Sequence, residues 1–142
     1  MQINVTITNH GTAPTTPFWA DLYINPSAPP TAANQPWYNR CGLTPCFGMA
    51  WQVSAPIPPG GSITLTSTAG SYSPGHTVWE GWFAKGTSDL YLYVDSWNPG
   101  VPAGAIAEPN EADNLVALHG ISVTGTNPAL ADQSALDRIQ PR

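Results

Sequence analysis

The sequence predicts an all-β fold of about seven short antiparallel strands in two facing sheets. Three observations lead there. Apolar residues recur at every second position in several short runs, which is the period of a half-buried strand. Sixteen Pro and thirteen Gly interrupt the chain between those runs, as turns require. From residue 1 to residue 123, no stretch sustains the spacing of an amphipathic helix.

The elements follow in order. Ile3 to Asn9 alternates Ile3, Val5 and Ile7 with Asn4, Thr6 and Thr8, and His10-Gly11-Thr12-Ala13-Pro14 ends it. Phe18 to Asn25 sets Phe18, Ala20, Leu22 and Ile24 on one face and Trp19, Asp21 and Tyr23 on the other. Between Pro26 and Cys46 five prolines break any period, so a long loop is expected there,. Strands resume at Ala50 to Ala55 and, after Pro56-Ile57-Pro58-Pro59-Gly60-Gly61, at Ser62 to Ser67. Val78 to Phe83 and Leu90 to Trp97 come next, joined by a hairpin or arch at Ala84 to Asp89,. Leu115 to Val123, interrupted by Gly120, is the last strand. The expected core is Val5, Ile7, Leu22, Ile24, Trp51, Leu65, Leu92, Val94 and Val116. Residues 124–142 lose the alternation and read as a tail or linker, with room for a short helical turn over Ala129 to Ile139 that would need docking to be stable.

A chain of 142 residues suits one domain, here residues 1–123. Its net charge of −5 includes only four cations, Arg40, Lys85, Arg138 and Arg142. No basic patch for nucleic acid follows from so few. No apolar window is long enough to insert in a membrane. Met1 leads directly into the first strand, so an export signal would lie outside this sequence, and the chain reads as a piece of a longer protein. Cys41 and Cys46 enclose Gly42-Leu43-Thr44-Pro45, a spacing that suits a small disulfide better than a metal site,. That disulfide would order the loop and imply an oxidising compartment; two free thiols are the alternative.

Three segments resemble the bacterial CARDB (cell-adhesion-related domain) family. They are Val5 to Ala13, Pro56 to Leu65, and Leu92-Tyr93-Val94-Asp95 leading to Glu108-Pro109-Asn110-Glu111-Ala112-Asp113-Asn114. The last of these is the most specific. The resemblance implies an immunoglobulin/fibronectin-III-like β-sandwich from a secreted or cell-surface protein. The insertions at 26–46 and 97–107 exceed what a plain member needs, and individual function is expected to lie in them.

Two groups of residues stand out as sites. Asp95, Glu108, Asn110, Glu111 and Asp113, with Asn114, gather oxygen donors in a chain otherwise poor in charge. Such donors without His or Cys suit a structural Ca2+. The competing reading is a hydrogen-bonded turn, with the Asn side chains bonding to their own backbone. The second group is Trp37, Tyr38 and Phe47, in or beside the cysteine loop where a glycan could stack, and Trp19, which faces opposite Phe18, Ala20, Leu22 and Ile24 and is expected to be exposed and free for a partner. Trp51, Trp79, Trp82 and Trp97, on expected strands, read as core. His10, His76 and His119 are isolated in sequence and no nucleophile motif accompanies them; spacing leaves open a glycosidase-type pair of Glu80 with Glu108 or Asp95, but nothing recommends it over chance. The sequence therefore points to a non-catalytic extracellular adhesion or assembly module that contacts protein partners or neighbouring copies. A carbohydrate-binding module is the alternative.

Overall fold

The computed structural model describes residues 1–42, 46–128 and 133–142. Six strands run through them: β1 (Asn4–Thr8), β2 (Phe18–Ile24), β3 (Gly48–Val53), β4 (Ser62–Thr66), β5 (Gly86–Val94) and β6 (Leu115–Val123). All pairings are antiparallel. One sheet has the order β3-β2-β5-β6 and the other is the pair β1-β4. No helix among the described residues is long and apolar enough to cross a membrane.

The alternation sets the faces. Phe18, Ala20, Leu22 and Ile24 all point into the core, with Met49, Trp51 and Val53 beside them on β3. The smaller sheet closes over this end. Leu65 on β4 is part of the same core, and the Trp51 indole N–H donates to the Thr66 carbonyl at 3.0 Å.

Two strands cannot cover four. Along the row Met49–Leu22–Leu92–Val116, exposure rises from 0% at Met49 and 3% at Leu22 to 56% at Val116, with Leu92 half-buried between. Val116 is thus not a core residue, contrary to the sequence expectation, and Val5, Ile7 and Val94 are only half-buried. Alternation assigns a side chain to a face, whereas burial depends on what the opposing sheet reaches.

Of the seven expected strands, Val78 to Phe83 does not form. Val78 to Phe83 contributes one bridge, Val78 to Gly48, and then turns at Gly81, whose φ is +84°. Its aromatics pack around Phe47 instead: Trp82 lies edge-on to Phe47 at 5.2 Å, Trp79 at 6.0 Å, and Phe83 is buried beyond Trp79. Trp79, Trp82 and Trp97 are therefore not strand residues. The expected hairpin at Ala84 to Asp89 is likewise replaced. From Gly86 onward that segment is the first part of β5, paired with Val123, Ser122 and Ile121 across a bulge at Ser88/Leu90. β5 ends at Val94, three residues before the expected limit at Trp97, where Asp95 takes φ +57°.

The second face of β2 is covered as well, by loops rather than by a sheet. A 3-10 turn, Trp37–Arg40, lies within the long insertion and lays the Trp37 indole flat against Gly48. A β-carbon at position 48 would overlap that ring, which explains a glycine inside a strand. The Trp37 indole N–H donates to the His76 carbonyl at 2.8 Å.

Candidate functional site

The two insertions meet on this loop-covered face of the larger sheet. Asn34, in a left-handed conformation at φ +66°, donates its backbone N–H to the Ser96 carbonyl at 2.8 Å and accepts from the Asn98 backbone N–H at 2.9 Å. Its side-chain amide donates to the Val101 carbonyl at 3.1 Å. Within the first insertion, the Tyr23 hydroxyl donates to the Gln35 carbonyl, and Arg40 donates to the carbonyls of Ala28 and Pro29 and to Gln35 Oε1. Cys41 and Cys46 form a disulfide with their Cα atoms 5.5 Å apart. Residues 43–45 of that ring lie outside the described residues.

At the centre sits Asp21, a carboxylate on β2 with no exposed surface. Burial of a lone charge is costly, so partners must be present. Four donors supply them: the Trp37 backbone N–H at 3.1 Å, the Ser96 hydroxyl at 2.8 Å, and the two terminal nitrogens of Arg142 at 2.8 and 2.7 Å. The guanidinium is in turn stacked over the Trp19 ring at 4.5 Å and lies 5.6 Å from the Trp97 ring. Only 2% of the Arg142 side chain is exposed. His76 stands edge-on to Trp19 at 5.0 Å, and burial beside this cation holds its imidazole below the usual pKa,. An open cleft of about 400 Å³ runs along the site, with Asn34, Tyr38, Asn39, Trp97, Ile139 and Arg142 among its walls.

Ile139 to Arg142 thus pack back onto the fold. Gln133–Arg138 is a 3-10 helix, Ile139 packs against the core, and the Gln140 N–H donates to the Gly75 carbonyl at 2.8 Å. Residues 129–132, the start of the expected helical turn, lie outside the described residues.

The aromatics singled out by sequence separate. Trp37 and Phe47 are buried at 2% and 5%, so neither offers a face to a ligand. Trp19, expected to be free, is half-buried beneath Arg142 and beside His76. Tyr38 is half-exposed and lines the cleft.

The acidic segment forms a compact turn. Asp95, fully buried, accepts the backbone N–H of Ala105 at 2.8 Å and of Ile106 at 2.7 Å, one on each oxygen. Burial raises its pKa despite those two donors,. Glu111 accepts the Glu108 N–H and the Asn114 side-chain amide, and Asn110 accepts the Ala112 N–H. Asp113 is exposed. Among the described residues no group of three or more His, Cys, Asp or Glu side chains is arranged to hold a metal. The two readings of this segment diverge experimentally. If the hydrogen bonds shape it, chelator leaves the melting temperature unchanged while Asn114→Ala lowers stability by about 1–3 kcal/mol, because buried partners lose their mate. A fall on chelation, reversed by added Ca2+, is the result expected of a bound ion.

Gly104 belongs to the same turn. Its φ of +91° and the direct approach of Asp95, whose carboxylate a β-carbon there would strike, both demand glycine. Gly104→Ala should therefore cost about 2–4 kcal/mol in chemical denaturation; a neutral result would mean that the Asp95 carboxylate is not held under this loop.

Sequence reasoning missed Asp21, Ser96 and Arg142. One signal was available: Asp21 is a charge in the middle of an apolar strand, in a chain with very few cations to meet it. Among the described residues, the histidines stand apart from one another. His76 is beside Trp19, His119 is by Asp89 and Tyr91, and His10 is exposed. Comparison of the chain with protein-family models, curated proteins and solved structures gives no match.

Proposed function

We propose that this chain is a non-catalytic extracellular module with an immunoglobulin/fibronectin-III-like sandwich, similar to CARDB domains, that makes protein–protein contacts in a surface or secreted assembly. One observation carries the reading: the two insertions and residues 136–142 converge on a single cleft, on a face where the buried Asp21 carboxylate is already neutralised by Arg142. Such a surface is shaped for contact, and its charged group is committed to holding structure. The disulfide supports an oxidising location, and no helix among the described residues is long and apolar enough to cross a membrane.

A second reading, glycan binding, has its own support. Tyr38 and Trp97 offer rings, and Asn34 and Asn39 amides, along the same cleft, a combination suited to sugar stacking. Adhesion of the labelled module to bacterial surfaces separates the two. Adhesion lost after protease treatment of the surface but kept after periodate oxidation supports protein contacts. The reverse pattern supports glycans, and adhesion to neither surface overturns both.

A further inference from the structure

We propose that Asp21, Trp19 and Trp97 form an arginine-receptor site, and that its ligand, the Ile139–Arg142 segment, also seats from a second copy of the chain. The site is built for a guanidinium. A planar fork meets both oxygens of one carboxylate, while indole faces lie 4.5 and 5.6 Å from its carbon. A lysine ammonium would satisfy neither the paired geometry nor the stacking as well. The receptor is also held ready without its ligand. Trp37 N–H and Ser96 hydroxyl fix the carboxylate from within the fold, so little ordering cost remains when the cation arrives.

The ligand segment lies at the surface: Ile139 packs against the core, the Gln140 backbone bonds to the Gly75 carbonyl and to His76, and Gln140 and Pro141 remain exposed. Residues 124–128, which leave β6, are exposed throughout, and the segment belongs to no sheet. Release of residues 139–142 therefore unpairs no strand. A second copy carries the same receptor and the same segment, so exchange reproduces these contacts between copies without requiring any new surface. The inference names a contact for the protein–protein reading above. Its test uses no cell surface, so the two can fail separately.

The test uses the full chain bearing Arg142→Ala, with folding verified by its melting curve, titrated with a synthetic peptide of the sequence Leu136–Arg142 and followed by tryptophan fluorescence. The peptide should bind, its analogue with Lys at the last position should bind about tenfold more weakly, and the Ala analogue should not bind. Wild-type chain should bind the peptide more weakly than the variant, because its own Arg142 competes. Mixing the Arg142→Ala chain, which keeps the receptor, with an Asp21→Asn chain, which keeps the ligand, should give a one-to-one complex in analytical ultracentrifugation. Equal binding of all three peptides overturns the receptor, and peptide binding without a mixed complex overturns exchange. If Arg142→Ala does not fold, Arg142→Lys replaces it, and failure of the Arg peptide to displace the weaker lysine is then the overturning result.

Discussion

Trp51→Ala should lower stability by about 3–5 kcal/mol in urea denaturation, the range for removing a large buried aromatic. Trp51 is 1% exposed and lies between the two sheets. Its indole N–H reaches the Thr66 carbonyl on β4 at 3.0 Å, so the substitution opens a cavity and also strips a buried carbonyl of its partner. Trp51→Phe separates the contributions: it keeps most of the apolar volume and loses the hydrogen bond, so its cost should fall well below that of alanine. Equal costs for both would mean that the two sheets are joined through the polar contact and that the cavity matters little.

Asp21→Ala should have an effect of similar size, about 3–5 kcal/mol, the usual cost of breaking a buried charged pair from one side. The reason is asymmetric. Removing the carboxylate leaves the Trp37 N–H and the Ser96 hydroxyl unpaired inside the fold, since neither can move to water,. Removing Arg142 instead opens the carboxylate towards the cleft, where water can solvate it. Arg142→Ala should thus cost clearly less than Asp21→Ala. If the two costs are equal, the ion pair alone accounts for the site, and the inner donors contribute nothing measurable. A double variant that replaces both partners with apolar residues should recover part of the Asp21→Ala loss, as buried ion pairs commonly do.

The local pattern located most of the strands. β1, β2, β4 and β6 lie within a residue or so of their expected limits, because in each one face is less exposed than the other and the period of two admits only one assignment of faces,. β3 begins earlier, at Gly48, since a glycine and Met49 carry no alternation signal and pairing with Tyr23 and Leu22 sets the start. The acidic turn was legible as a turn because Asn110 and Asn114 make short-range bonds that depend on sequence neighbours alone.

Other features depended on residues far apart in the chain. Val78 to Phe83 has the composition of a strand, yet after its one bridge to Gly48 the chain turns at Gly81 and its aromatics are drawn to Phe47. Val116 has the alternation of a core residue, but the smaller sheet has only two strands and stops short of β6. Trp37 reads as a loop aromatic open to ligands, whereas Gly48, eleven positions on, provides the flat surface that buries it. The pairing of Asp21 with Arg142 spans almost the whole chain. By itself, then, the sequence determined the all-β class, the faces of the main strands and the cysteine pairing, all of which follow from periodicity and close spacing. Only the tertiary structure decided which faces are covered and which cation meets the buried carboxylate, because coverage and charge compensation are properties of what packs opposite, and local pattern carries no record of that.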